Sequence, residues 1–196
     1  PAFLVGGYRG AALFVLIVCA LGTALAWRIA WDVTRDAGAA WFGWAALTTS
    51  IPIVAHAYTV YPDGLSGVLV LVAVFAFLRA GGSARWPLVA GGTALALLPW
   101  LHTRNAIIAA GLGAAIVFRT WQHAPPGEAL RRFTAFLAVP VVAAAAWFAH
   151  FRVIYGTFDP SAPYGGYTQS SWANVLRGVP GLLVDQQFGA IATAPA

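Results

Sequence analysis

Apolar residues arrive in blocks close to the length that crosses a bilayer, and this restricts the chain more than any other feature. Six such blocks can be drawn, at 10–27, 39–57, 62–78, 86–101, 105–121 and 133–151. A helical span needs roughly 17 to 25 residues. Inside lipid every backbone N–H and C=O must be satisfied by the protein itself, so blocks dominated by Leu, Ala and Val are read as helices. Composition agrees: 60% of the residues are hydrophobic and 9% charged, where a soluble domain carries about a quarter charged. The expected fold is all-α, a polytopic transmembrane bundle of about six spanning helices over 1–151. A long external loop rich in Gly, Pro and Tyr follows at 152–180, in which SSWANVLRG is expected to form a short interfacial helix. A further apolar element begins at 181–196. The third to fifth blocks sit near the short limit, which suits little tilt or shielding by neighbours.

The connectors divide by charge. One set holds Arg28, Arg35, Arg79, Arg85, Arg119, Arg131 and Arg132; the other holds Arg9, Arg104, Arg152 and Arg177. The excess of arginine in the first set makes it the cytoplasmic side by the positive-inside rule. TVYPDG, LHTRN and the segment after Arg152 then face outward.

The net charge of +5 belongs to arginines scattered at the ends of apolar runs, where they anchor helices; no nucleic-acid partner is expected. Cys19 is the one cysteine, so no disulfide can form within the chain. Lysine is absent and Ala, Gly, Pro and Trp are abundant, which suggests a GC-rich bacterial genome and an inner-membrane location. The chain has no methionine and opens and closes in apolar text. It is therefore expected to be an internal piece of a longer polytopic protein.

Against this background a few polar residues stand out. HAYTVYPDGLSG, residues 56–67, gathers His56, Tyr58, Tyr61 and Asp63. Pro62 suits a first helical turn, and a carboxylate there meets the positive end of the helix dipole, so Asp63 reads as a helix start. The spacing favours that reading over a second one, in which Asp63 faces an external cavity as a metal ligand, substrate contact or base. A charge at the membrane edge is cheap, whereas one at the centre costs about 2.5 to 3.5 kcal/mol on insertion scales. LPWLHTRNAI offers His102 and Arg104 as interfacial anchors or as contacts to a phosphate, which the guanidinium fork fits. Asp185, Gln186 and Gln187 interrupt an apolar stretch and are expected to face protein or water. Asp159, before Pro160, reads as a turn former. Asp32, Asp36 and Glu128 are expected to pair with nearby arginines. The sequence holds no zinc-ligand spacing, no P-loop and no GxSxG elbow.

The order of these elements is similar to that of a known class. A helix leads into the basic turn ALAWRIAWDVTRDAG, the next ends at YPDG, another leads to LRAGGSARW, and a fourth ends at LALLPWLHTRNAI. This resembles the GT-C class of polytopic membrane glycosyltransferases, in the branch of protein mannosyltransferases and aminoarabinose transferases. The resemblance implies a polyprenyl-phosphate sugar donor and transfer to an acceptor on the outer face of the membrane. It implies that Asp63 is the carboxylate of a second external loop, serving catalysis or a divalent metal ion. Arg104 would supply the cation where relatives carry a Thr-Lys pair. His56, Tyr58, Tyr61, His102, Asp185 and Gln186 would line the substrate site. The principal catalytic carboxylate of the class sits in a first external loop that has no counterpart here, so this stretch alone is expected to be inactive. A transporter or flippase-like protein without covalent chemistry is the alternative, and a purely structural membrane subunit a third reading.

Overall fold

The computed structural model describes residues 2–57, 59–124 and 127–167, with Gly178, Pro180 and Val184 as single positions. Among the described residues there are seven α-helices and one 3-10 helix: α1 (Ala2–Thr34), α2 (Ala37–Thr48), α3 (Ile51–Ala57), α4 (Pro62–Arg79), α5 (Trp86–Leu101), α6 (Asn105–His123), α7 (Ala129–Tyr155) and η1 (Ala162–Tyr167). Three of them, α1, α4 and α7, are long and apolar enough to cross a membrane, which fits an integral membrane protein. At 16 residues α5 is apolar but shorter.

The block at 39–57, expected as one span, is two helices instead. Asp36 starts α2 by accepting the Ala39 N–H on Oδ1 at 2.7 Å. The break follows from local chemistry at Thr49 and Ser50. Thr49 Oγ1 donates to Ala45 O at 2.8 Å and Ser50 Oγ to Leu47 O at 2.7 Å. Ser50 N–H also reaches back only three residues, to Leu47 O. Such back-bonding competes with the helical ladder, and Pro52 two residues on has no N–H to continue it. The pieces run 12 and 7 residues, about 18 and 10 Å at 1.5 Å per residue. Neither crosses a bilayer alone.

Helix α5 is the centre of the bundle, packed between α4 and α7 at close range. A Cβ on Gly91 would lie 2.4 Å from Ala76 Cβ, and one on Gly92 would lie 2.2 Å from the Phe136 carbonyl oxygen. Glycine on one face and alanine on its neighbour let the backbones approach, the usual way helices pack in lipid. The core around this contact comprises Ala73, Ala76, Ala80, Leu88, Leu95, Leu98, Ile116 and Phe136.

One end of the bundle collects arginines. Asp32 near the end of α1 accepts from Arg28 Nε at 3.2 Å and from Arg79 Nη2 at the end of α4. Arg132, only 2% exposed, donates to Gly82 O at 2.7 Å and Ala80 O at 3.3 Å, so α7 caps the carbonyls that follow α4. Arg132 also pairs with Glu128 at 3.3 Å, and Arg119 lies over the Phe77 ring at 4.7 Å. Cations at helix C-termini are favourable partners for the dipole.

The opposite end is stepped. Helices α1 and α4 run parallel: a Cβ on Gly64 would lie 3.2 Å from Cys19 Sγ, and one on Gly22 would lie 2.5 Å from Val68 Cγ2. From Cys19 back to Arg9 is a further ten residues, roughly 15 Å of helix. Helix α1 therefore rises well beyond the start of α4, with Leu4, Val5 and Leu13 exposed, and bends at Gly7, where φ is 57°. The start of α4 and the turn between α5 and α6 meet below that level.

Candidate functional site

At the stepped end the turn before α4 and the turn between α5 and α6 come together. Tyr61 is extended, Pro62 opens α4, and Asp63 occupies the first turn. Arg104 immediately precedes α6 and donates from Nη2 to Asp63 Oδ1 at 2.8 Å. Both side chains reach the surface, the arginine 64% exposed and the aspartate 30%. An exposed pair of this kind contributes about 0 to 1 kcal/mol, so it is exchangeable.

Directly beneath lies a buried polar contact. Asn105 Nδ2 donates to Ser66 Oγ at 2.9 Å and, at 3.4 Å, to Leu98 O, while Ser66 Oγ donates to Pro62 O at 2.9 Å. Asn105 and Ser66 are 5% and 8% exposed. These bonds join the first turn of α4, the last turn of α5 and the first turn of α6.

His102 closes α5 in extended conformation, and its Nδ1 accepts the Arg104 N–H at 3.3 Å. On the α7 side of the same turn a notch of about 240 Å3 is lined by Trp100, His102, Thr103, Trp147 and His150. His150 stacks obliquely with Trp100, ring centroids 5.7 Å apart. The notch shares Pro99, Trp100 and Trp147 with an apolar groove of about 490 Å3 between α5, α6 and α7, whose floor is largely alanine and Gly113. The groove runs from the notch along the bundle towards Phe136.

Of the residues singled out from the sequence, Tyr61, Asp63, His102 and Arg104 gather at this end. His56 joins them from α3, its ring centroid 6.2 Å from that of Tyr61; its Nδ1 is buried with no partner among the described residues. Tyr58, Asp185 and Gln186 lie outside the described residues. Asp159 forms the expected turn, accepting from the Ser161 N–H and hydroxyl at 2.8 Å each. Asp32 and Glu128 pair with arginines as expected, whereas Asp36 caps α2. Ser66, Asn105 and His150 were not anticipated. Asn105 stands within the LHTRN motif itself, and a serine three residues after Asp63 was the available signal for Ser66.

A divalent metal is a poor match to this arrangement. Among the described residues no group of three His, Cys, Asp or Glu side chains is placed to hold one. Asp63 already faces a guanidinium, which disfavours a second cation at the same oxygen.

Comparison of the chain with family models, with curated proteins and with solved structures returns no match.

Proposed function

We propose that this chain is part of an integral membrane glycosyltransferase that moves a sugar from a polyprenyl-phosphate donor to an acceptor on the outer face of the membrane. The supporting observation is that Arg104, paired with Asp63, follows directly on His102 and Thr103, which line a polar notch that continues into an apolar groove. A lipid-phosphate sugar has that same division: a charged head and a long apolar tail. In this reading the arginine-rich end is cytoplasmic. The helices α1, α4, α5, α6 and α7, with α2 and α3 acting together, make up six passages of the membrane, and the segment after Arg152 forms the external loop.

In this scheme the donor phosphate takes Arg104, whose fork suits a phosphate in a way that a single carboxylate oxygen does not. Asp63 is then released from the pair and accepts the proton of the acceptor hydroxyl or amine. The acceptor atom forms the new bond to the anomeric carbon as the carbon–oxygen bond to phosphate breaks. The phosphate leaves with the electron pair, its added charge met by Arg104. Attack from the face opposite the phosphate inverts the anomeric centre.

The test is transfer in membranes containing the intact protein, supplied with radiolabelled polyprenyl-phosphate sugars. The proposal expects label to move into an acceptor above the level of membranes without the protein. No transfer with any donor, from membranes in which the protein is demonstrably present, contradicts it.

A further inference from the structure

We propose that Ser66 and Asn105 are positioning residues that set the relation of Asp63 to Arg104. This inference extends the transferase reading above, on which its kinetic consequence rests. The Asp63–Arg104 pair is exposed and weak, so it is a poor device for fixing the distance between two turns. The bonds one layer below are of the opposite kind. Asn105 Nδ2 to Ser66 Oγ, at 2.9 Å, is buried and couples residues 39 positions apart. Ser66 Oγ in turn donates a hydrogen bond to Pro62 O at 2.9 Å, the carbonyl one residue before Asp63. The asparagine follows Arg104 directly in the chain, and its second contact, to Leu98 O at 3.4 Å, holds the α5 end that carries His102. In this relay Asn105 Nδ2 and Ser66 Oγ make their bonds in a buried surrounding, where an unmade bond is costly. Leaving this arrangement would unmake buried bonds, and Asp63 and Arg104 are carried by the residues that make them. The acid and the cation can then separate when a phosphate arrives without the turns drifting apart.

The experiment measures the spacing directly in the intact protein with Cys19→Ser, spin-labelled at Val60→Cys and Ile107→Cys, both positions exposed. With the relay intact the inter-label distance distribution is narrow. Ser66→Ala and Asn105→Ala broaden it at least twofold in width, Ser66→Thr restores it, and Arg104→Gln leaves it unchanged. If Asn105→Ala does not accumulate, the Ser66→Ala and Ser66→Thr comparison decides. A distribution unaltered by Ser66→Ala, or one broadened by Arg104→Gln alone, overturns the proposal. In a transfer assay Ser66→Ala lowers kcat about tenfold or more with KM little changed, and Ser66→Thr recovers it. Should the wild type transfer no sugar, the transferase reading falls while the distance result still judges the relay.

Discussion

Arg104 and Asp63 are 41 positions apart in sequence and share a 2.8 Å hydrogen-bonded ion pair at one end of the bundle. The helices α4 and α5 are shorter than α1 and α7. Helix α4 has 18 residues and α5 has 16, roughly 27 and 24 Å, against a hydrocarbon layer of about 30 Å. Helix α1 continues roughly 15 Å past the level of Gly64, so Arg9 stands higher along the bundle than the pair.

If Arg104 trades its carboxylate for a phosphate, the two residues fail differently. Asp63→Asn removes the base and is expected to reduce kcat for transfer by 10²-fold or more. Arg104→Ala removes the group that holds and neutralises the phosphate, so both KM for donor and kcat suffer, by a combined factor of about 10²–10³. Accumulation in the membrane changes little in either case, since an exposed pair contributes about 0 to 1 kcal/mol. Donor titrations with the two variants separate these patterns.

The glycines of α5 make a prediction about architecture alone. Gly91→Ala and Gly92→Ala force a methyl to within 2.4 Å of Ala76 Cβ and 2.2 Å of the Phe136 carbonyl. Either substitution pushes helices apart and is expected to cost about 1 to 3 kcal/mol, seen as a lower midpoint of thermal unfolding in detergent. Gly111, whose added Cβ would meet nothing within 4 Å, is the control. Gly111→Ala is expected to be neutral or stabilising by up to ~1 kcal/mol through helix propensity.

The all-helical character and several helix starts could be read from the sequence because hydrophobic block length is a strong, local signal. The helices α4, α5 and α6 begin at the residues expected from Pro62, Trp86 and Asn105. The block at 39–57 misled because its hydropathy is continuous across Thr49 and Ser50, while the break depends on hydroxyls bonding to Ala45 and Leu47 carbonyls. Hydropathy cannot register that competition. In the site, Asp63 and Arg104 were legible as charges in apolar text. Ser66 and Asn105 were not, since a small polar residue in a helix is ordinary until its partner 39 positions away is known. The notch and groove depend on how α6 and α7 diverge around α5, which no local pattern encodes.

The turn after α7 responds to acid. Asp159 accepts from the Ser161 backbone N–H and hydroxyl, and these bonds hold its carboxyl below the usual range. A lowered folded value means that the turn's stabilisation is complete above the ordinary aspartate pKa of about 3.9. It is lost as the pH falls further, through the folded value. Amide exchange at Ser161 should therefore stay slow at neutral pH and show added opening on acidification below about pH 4; Asp159→Asn should remove that pH dependence.

The most direct measurement of the account is sidedness. Single cysteines replacing Thr59, Tyr61, Arg85 and Gly127 in a Cys19→Ser background can be probed on intact cells with a membrane-impermeant maleimide. Thr59 and Tyr61 adjoin the Asp63 turn, and Arg85 and Gly127 lie at the arginine-rich end. The account predicts labelling at 59 and 61 from outside, and at 85 and 127 only after the membrane is opened. Labelling of 85 and 127 on intact cells, with 59 and 61 protected until permeabilisation, would put the Asp63–Arg104 pair on the cytoplasmic face and contradict the proposed outer-face transfer.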